Sequence, residues 1–279
     1  MKIFKTIAEA KSALEAERLS GKTIALVPTM GYLHEGHMVL VREGAKKADL
    51  TVVYIFVNPL QFNDPNDLAS YPIDLKGDLV KLEKTHAWGV FLPTREEIYP
   101  PGFQSWVTPG DLAQKFEGAF RPGHFRGVAT VVTRFFEIIR PNLAVFGEKD
   151  FQQLQVIKQV VKDLRLGIEI VPVATVREPD GLAMSSRNVR LKDSDRKQAT
   201  ALYKALSSMR EKHMRGEKSA ATLIAEAKAY LQQHAVTLEY LAIVDSETLR
   251  ELEVVSENAR ALIAAAVSGV RLIDNVALN

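Results

Sequence analysis

The chain has 279 residues, of which 47% are hydrophobic and 25% are charged, and its formal net charge is +2. This composition predicts a soluble globular protein with a large core, organised as one large domain or two modest ones. The absence of cysteine excludes disulfide scaffolds, thiolate metal sites and cysteine nucleophiles. Because the basic residues are scattered and no apolar run is long enough to span a bilayer, we expect no nucleic-acid or membrane partner and a cytoplasmic location.

Strands and helices alternate along the first part of the chain. Short apolar runs predict buried strands at residues 23–27, 51–57, 89–92, 143–146 and 168–173. Apolar residues at spacings of three and four predict helices after residue 37, at residues 74–86 and after residue 150. This alternation predicts an α/β fold with a Rossmann-like parallel sheet, in which ligands bind beyond the carboxyl ends of the strands.

The pattern changes after residue 176, where a Pro-Asp-Gly turn at residues 179–181 is followed by two charged helical stretches. Strand-like pieces follow at residues 238–244, 261–267 and 270–273. This order predicts a smaller α+β C-terminal domain. We therefore expect a Rossmann-like domain at residues 1–175 and an α+β domain at residues 176–279.

The first candidate site is the sequence Met-Gly-Tyr-Leu-His-Glu-Gly-His at residues 30–37. His34 and His37 lie at a strand-to-helix junction, where the helix start offers backbone N–H groups and a positive dipole end to phosphate. Imidazoles there can also stabilise the charge that develops as pyrophosphate leaves, and Gly31 and Gly36 would let a nucleotide approach the backbone. An ordinary surface pair or a metal-binding pair remains an alternative, although the spacing differs from the zinc-protease motif.

Two further segments offer phosphate ligands. In Met184-Ser185-Ser186-Arg187, two hydroxyls and a guanidinium can clamp a triphosphate, although such sequences are also common in exposed loops. The segment at residues 146–153 follows a predicted strand and opens a helix. There Lys149 can meet phosphate, Gln153 can reach the same cleft, and Asp150 can either cap the helix or bind ribose.

Two loops complete the candidates. Gln61, in Asn-Pro-Leu-Gln-Phe, offers both a donor and an acceptor to a small polar substrate, or is merely a loop glutamine. The glycines and basic residues of residues 121–127 indicate either a loop near an anion or an ordinary surface turn. The phosphate loop of kinases, the dinucleotide fingerprint and the nucleophile elbow of α/β hydrolases are all absent, which disfavours those classes.

Taken together, these sequences resemble the pantothenate synthetase family, within the nucleotidyltransferase superfamily of His-x-Gly-His enzymes. The resemblance covers residues 24–275 and includes Arg-Pro-Gly-His-Phe-Arg-Gly, Phe-Gly-Glu-Lys-Asp-Phe-Gln-Gln, Asp-Gly-Leu-Ala-Met-Ser-Ser-Arg-Asn and Arg-Leu-Ile-Asp-Asn. It implies that pantoate attacks ATP to give pantoyl adenylate and pyrophosphate, and that β-alanine then displaces AMP. It also implies a magnesium requirement and a homodimer formed through the first domain.

The resemblance also implies the roles of individual residues. It assigns ATP binding to Met30, Gly31, Tyr32, Leu33, His34, Glu35, Gly36, His37, Gly147, Glu148, Lys149, Asp150, Val176, Met184, Ser185, Ser186 and Arg187. It assigns substrate binding to Gln61 and Gln153, and catalysis to His34, His37 and Lys149. Residues near the substrate would include Asn58, Tyr71, Arg121 and His124. Asp78 is a further possibility for magnesium, but we assign no metal ligand.

Two rival functions remain open from the sequence. One is a nucleotidyltransferase that moves AMP or CMP onto a phosphate ester and stops there. The other is a nucleotide-binding regulator without catalysis, which would not need Gln61 and Gln153 around a second small ligand.

Overall fold

The computed structural model describes residues 1–279. The chain divides into two compact units, of which the first comprises residues 1–148 and 153–174 and the second comprises residues 149–152 and 175–279. None of the helices combines the length and hydrophobicity needed to cross a bilayer.

The first unit is built on a parallel sheet. Its strands are β1 (Lys2–Phe4), β2 (Ile24–Thr29), β3 (Leu50–Ile55), β4 (Gly89–Phe91), β5 (Leu143–Gly147) and β6 (Glu169–Val173). Its helices are α1 (Ile7–Leu19), α2 (Glu35–Lys47), α3 (Pro65–Ala69), α4 (Leu75–Glu83), α5 (Arg95–Ile98), α6 (Glu117–Phe120), α7 (His124–Ile139) and α8 (Phe151–Asp163), of which the first two residues of α8 belong to the second unit. The six strands pair in parallel in the order β1-β4-β3-β2-β5-β6, which confirms the predicted fold class.

The strand order places a topological switch point in the middle of the sheet. The strands β3 and β4 extend it on one side of β2, whereas β5 and β6 extend it on the other. Ligands of open α/β sheets bind outside the carboxyl ends of the strands at such a point. The loops that follow Thr29 and Gly147 are therefore the expected location of a site.

Of the helices of this unit that were not predicted from the sequence, the two longest are α1 and α7. The helix α1 begins after Thr6, whose hydroxyl accepts the N–H of Glu9 while the Glu9 carboxylate accepts the N–H of Thr6, forming a capping box. The helix α7 is buried on most of its surface. There Phe135 stacks on Tyr54 of β3 with ring centroids 3.6 Å apart.

The second unit combines two helices with an antiparallel sheet, which confirms the predicted α+β character. Its elements are α9 (Asp193–Met214), α10 (Ala220–Leu231), β7 (Thr237–Asp245), β8 (Ala259–Val267) and β9 (Val270–Ala277). The sheet order is β7-β8-β9. The strand β8 lies in the centre, and its small buried residues, such as Ala261 and Ala265, form part of one apolar core with the two helices.

Candidate active site

The strand β2 ends in a strained turn that leads to the two histidines. Gly31 and Tyr32 both have positive φ, at 80° and 49°. A side chain at residue 31 would put its Cβ 2.9 Å from Cγ2 of Ile55 on the neighbouring strand, so only glycine fits both the space and the backbone angle. The N–H of Gly31 donates to the hydroxyl of Thr29 at 3.3 Å, which fixes the start of the turn.

Asp78, from the first turn of α4, holds the same turn. Its side chain is buried, with only 1% of the residue exposed. Its two carboxylate oxygens accept the N–H groups of Tyr32 and Leu33 at 2.7 and 2.6 Å, and Lys81 donates to the carbonyl of Leu33 at 2.7 Å. Burial raises the pKa of Asp78, although the two N–H donors act in the opposite direction. The geometry thus gives Asp78 the task of anchoring the loop.

The two histidines lie side by side at the start of α2, with ring centroids 4.0 Å apart. His34 occupies the position before the helix, and its backbone N–H donates to Nδ1 of His37 at 3.2 Å. An acceptor Nδ1 places the proton of the neutral ring on Nε2. The Nε2–H of His37 is therefore a hydrogen-bond donor beside the N-terminal end of a helix, a combination suited to phosphate oxygens.

Gln61 is buried in a short turn after β3, with 8% of the residue exposed. Its side-chain amide contacts Sδ of Met30 at 3.0 Å through Nε2, and its Oε1 accepts Nδ2 of Asn58 at 3.0 Å. An amide of this kind has two donors and two acceptor lone pairs. The structure therefore brings Gln61 and Met30 together at the carboxyl ends of adjacent strands.

Three of the residues expected near the substrate, Asn58, Arg121 and His124, contact Gln61. Asn58 is 1% exposed, and it donates to the carbonyl of Gly127 and accepts from the hydroxyl of Tyr99 at 2.9 Å. Nδ1 of His124 lies 2.7 Å from the carbonyl of Gln61. The sequence missed these supporting contacts because they join segments more than 40 residues apart.

The expectation of a loop at residues 121–127 needs correction. The loop ends at Gly123, and His124–Gly127 form the first turn of α7. His124 is buried, and Arg121 donates to the carbonyl of Gln61 at 3.2 Å. These basic side chains are thus engaged with the backbone of the Gln61 turn. Tyr71 is also buried, with its ring edge-on to Phe62.

A cavity of about 230 Å³ borders the turn. It is lined by Met30, Gly31, Tyr32 and Asp78 and by mainly apolar side chains, including Ile55 and Leu92. Neither histidine and neither candidate glutamine is among its lining residues. Its lining contains no lysine, arginine or histidine, and we assign it no ligand.

The remaining candidates of the first unit follow β5. Gly147 ends the strand beside Leu40 of α2, and Glu148 opens a single 3-10 turn. Gln153 lies in the first turn of α8 and is half-buried. Asp150 ends this 3-10 turn and directly precedes Phe151, the first residue of α8.

The second unit contains the other candidates in two segments. Lys149 and Asp150 form an ion pair at 3.7 Å. Val176 and Met184 face each other across a tight hairpin, in which the N–H of Met184 donates to the carbonyl of Val176 at 2.9 Å. Gly181, at the tip of the hairpin, has a positive φ of 91°.

A single 3-10 turn follows this hairpin and contains the serines and the arginine. The hydroxyl of Ser185 accepts the N–H of Arg187 at 3.2 Å and so caps the turn. Ser186 is buried, whereas Met184 and Arg187 are half-buried. Asn188 ties the turn back to the carbonyl of Ala183 at 3.0 Å.

The first unit has a Rossmann-like parallel sheet, and a pair of histidines lies at the start of the helix that follows its central strand β2. The second unit is a smaller α+β unit. These features are those of the α/β enzyme class predicted from the sequence. The sequence profile of the pantoate-beta-alanine ligase family matches residues 2–277. The chain belongs to this family, whose members are ligases of pantothenate biosynthesis.

Individual relatives agree with this assignment. The chain is 48% identical to pantothenate synthetase 1 of Bradyrhizobium diazoefficiens, with 100% of this chain and 99% of the relative covered. The crystal structure of pantothenate synthetase from Thermus thermophilus has a TM-score of 0.95 at 44% identity, covering 100% of this chain and 99% of that one. The pantoate-beta-alanine ligase of Francisella tularensis, solved in complex with beta-gamma ATP and beta-alanine, has a TM-score of 0.83 at 33% identity, covering 100% and 98%.

Proposed function

We propose that the enzyme joins (R)-pantoate to β-alanine in two steps through a pantoyl adenylate, with release of pyrophosphate and then AMP. The family assignment supports the ligase activity, and the ligands of the Francisella tularensis relative support ATP and β-alanine as substrates. The observation that carries the proposal is the placement of His37. Its Nδ1 accepts the N–H of His34, so the neutral ring carries its proton on Nε2, beside a helix start.

In the first step, a carboxylate oxygen of pantoate attacks the α-phosphorus of ATP. The bond from this phosphorus to the bridging oxygen of the β-phosphate breaks, and pyrophosphate leaves with the electron pair. Negative charge grows on the departing oxygen, so catalysis depends on positioning and charge neutralisation. We assign this stabilisation to His34, His37 and the backbone N–H groups at the start of α2.

In the second step, the uncharged amine of β-alanine attacks the acyl carbon of pantoyl adenylate. The amide bond forms, the acyl–phosphate bond breaks, AMP departs, and the amine releases one proton to solvent. The mixed anhydride is required because a bare carboxylate is a poor acyl donor to an amine.

We assign the binding of pantoate to Gln61 and Gln153, and contact with β-alanine to Gln61. Gln61 is suited to this task because Met30 and Asn58 fix its amide from two sides. These contacts use one donor and one acceptor position, and an amide offers a second of each for the hydroxyls and carboxylate of pantoate. A pre-positioned amide also avoids the entropy that ordering a mobile side chain would cost on binding.

We assign nucleotide contacts to both units. In the first unit they come from residues 30–37, Gly147 and Glu148. In the second, Lys149 would meet phosphate, Asp150 ribose and Val176 adenine, while residues 184–187 would contact the phosphates.

Residues 176–279 are proposed to act as a lid domain, because water must be excluded from an adenylate that it would hydrolyse. Small-angle X-ray scattering with and without ATP tests this role. An unchanged radius of gyration would count against it.

Magnesium is proposed as the cofactor that neutralises the phosphate charge of ATP. The structure contains no group of three or more histidine or acidic side chains arranged around a metal position. The carboxylate oxygens of Asp78 are already used by two N–H donors. We therefore propose that magnesium is held chiefly by the phosphates and water, as is usual for this ion.

We also propose that the enzyme is a homodimer formed through the first domain. Its proposed location is the cytoplasm, where ATP is available. Sedimentation equilibrium of the purified protein tests the dimer, for which the expected mass is twice that of the 31.0 kDa chain.

The decisive experiment is isotope exchange between labelled pyrophosphate and ATP. We expect exchange when pantoate is present and β-alanine is absent, because only a reversible adenylation returns pyrophosphate to ATP. Failure of pantoate to support exchange would remove the adenylate step. Nucleotide transfer to a phosphate ester, with no AMP released on addition of β-alanine, would instead favour the rival nucleotidyltransferase reaction.

A further inference from the structure

The proposed function leaves one sequence motif without a task, the Arg-Leu-Ile-Asp-Asn of Arg271–Asn275. Its last two residues, Asp274 and Asn275, lie on β9 and are 5% and 3% exposed. Polar side chains so deeply buried are normally committed to hydrogen bonds, because leaving them unpaired is costly. Their partners belong to the two candidate nucleotide-binding segments of the second unit.

Asp274 holds the hairpin that begins at Val176. Its carboxylate accepts both terminal nitrogens of Arg177, at 2.7 and 2.9 Å, in a bidentate pair. The guanidinium of Arg177 also lies 3.8 Å from the ring centroid of Tyr203. Since Arg177 pairs with Ala183 across the hairpin, fixing Arg177 fixes both sides of it.

Asn275 holds the other segment, residues 149–152. Its Nδ2 donates to the backbone carbonyl of Lys149 at 3.0 Å, and its Oδ1 accepts Nη1 of Arg260 at 2.5 Å. The guanidinium of Arg260 also lies 4.0 Å from the ring centroid of Phe151. These contacts explain why residues 149–152 pack with the second unit although the residues on both sides of them belong to the first.

The two attachments start from adjacent residues of a single strand. The N–H of Asn275 donates to Oδ1 of Asp274 at 2.7 Å, and Arg177 also reaches the carbonyl of Asn275 at 3.3 Å. Any displacement of this strand therefore affects Lys149 and the hairpin together. Neither Asp274 nor Asn275 belongs to the segments that would contact the nucleotide.

We propose that Asp274 and Asn275 are positioning residues that fix the spacing between Lys149 and the Val176–Met184 hairpin for ATP binding. The inference rests on the proposed nucleotide contacts of those two segments. Phosphate and base must be met by groups in a set relation, and a flexible relation would weaken ATP binding through the entropy of ordering. The substrates other than ATP should be unaffected.

The test compares Asn275→Ala, Asp274→Asn and Lys149→Ala with the unaltered enzyme. Binding of a non-hydrolysable ATP analogue is measured by calorimetry, together with KM for ATP and for pantoate and the thermal midpoint. We expect Asn275→Ala and Asp274→Asn each to weaken analogue binding about tenfold or more, the effect of one lost buried hydrogen bond. KM for pantoate should stay within about twofold. Glu239→Gln, which breaks an ion pair to Arg271 on the same strand, is the matched control and should leave both values unchanged.

A double-mutant cycle separates this inference from the function it rests on. If Asn275 acts through Lys149, the double variant that combines Asn275→Ala with Lys149→Ala should bind the analogue no more weakly than Lys149→Ala alone. Full additivity, or an equal rise of both KM values, would overturn the positioning role. Normal analogue binding by Lys149→Ala would instead remove the proposed phosphate contact itself. Asn275→Ala deletes one amide, so it remains decisive even if Asp274→Asn fails to fold.

Discussion

The carboxylate of Asp78 accepts the backbone N–H of Leu33 at 2.6 Å, across 45 residues of chain. Its other oxygen accepts the N–H of Tyr32, so both residues before His34 are bound to one buried side chain. The positive φ of Tyr32 would be costly if unsupported. Asp78 thus stabilises a strained backbone, and the positions of His34 and His37 depend on it.

Asp78→Asn should lower kcat by about 10- to 100-fold. An asparagine has one acceptor oxygen, so one of the two loop N–H groups loses its partner and the turn loosens, at about 1–3 kcal/mol. The pKa of Asp78 is raised in the folded state, so the folded protein binds this proton more tightly than the unfolded chain. Ionised Asp78 therefore adds no charge-based stability at neutral pH, and its stability contribution rises only as the pH falls through the raised pKa.

Because removal of the buried charge offsets part of the lost hydrogen bond, the urea midpoint of Asp78→Asn should fall only slightly, although kcat falls about 10- to 100-fold. Asp74→Asn is the control, because Asp74 caps the same helix from an exposed position by accepting the N–H of Gly77. Asparagine serves equally well as a cap, so this variant should resemble the unaltered enzyme in steady-state assays. A fully active Asp78→Asn enzyme would contradict the anchoring role.

His37→Ala should lower kcat by about 100- to 1,000-fold, the loss typical of removing one donor to a developing negative charge. The isotope-exchange rate should fall in parallel, because the first step is the one affected. Its circular dichroism spectrum should stay unchanged and its thermal midpoint should fall only slightly, because the variant loses the contacts of the ring with His34 at the helix start but keeps the fold. His86→Ala, at an exposed position, is the control, and exchange by His37→Ala at a near-normal rate would refute the assignment.

The sequence predicted β2 to β6 because these strands contain short apolar runs, whereas β1, a three-residue edge strand with two exposed residues, was not predicted. The observed β2, β3 and β5 differ from the predicted ranges by at most two residues at either end. The pattern failed for α7, because a helix buried on most of its surface has no polar face to set a period. It failed for α1 because only Ala10 and Leu14 of that helix are fully buried.

The candidate site likewise contains residues that a local sequence pattern indicates and contacts that no such pattern indicates. The histidine pair and Gln61 could be proposed because their residue types occur in a local pattern at strand ends. The contact of Asp78 with Leu33 and that of His124 with Gln61 bridge 45 and 63 residues, and no local pattern signals them. Local sequence patterns therefore indicate candidate ligands but not the side chains that hold them in place.

Gln61→Ala should raise KM for pantoate at least tenfold while KM for ATP changes little. The buried amide is proposed to hydrogen-bond pantoate, and its loss leaves substrate polar groups without partners. Gln232→Ala, at an exposed position, is a suitable control. Initial rates measured with each substrate varied in turn give the two KM values. An equal rise in both would argue against a specific pantoate contact.

Gly127→Ala tests whether the Gln61 turn must sit tightly on α7. A Cβ at residue 127 would lie 2.1 Å from the carbonyl oxygen of Leu60 and 2.8 Å from the backbone N of Gln61. Backbone atoms cannot rotate away as a side chain can, so the turn must shift, at about 1–3 kcal/mol of stability or more. The shift would also displace the Gln61 amide, and we expect KM for pantoate to rise together with the loss in urea midpoint. Glu137→Ala, on the exposed face of the same helix, is the control and should change neither the urea midpoint nor KM for pantoate. A Gly127→Ala enzyme with normal stability and normal KM for pantoate would show that close packing on α7 does not constrain the Gln61 turn.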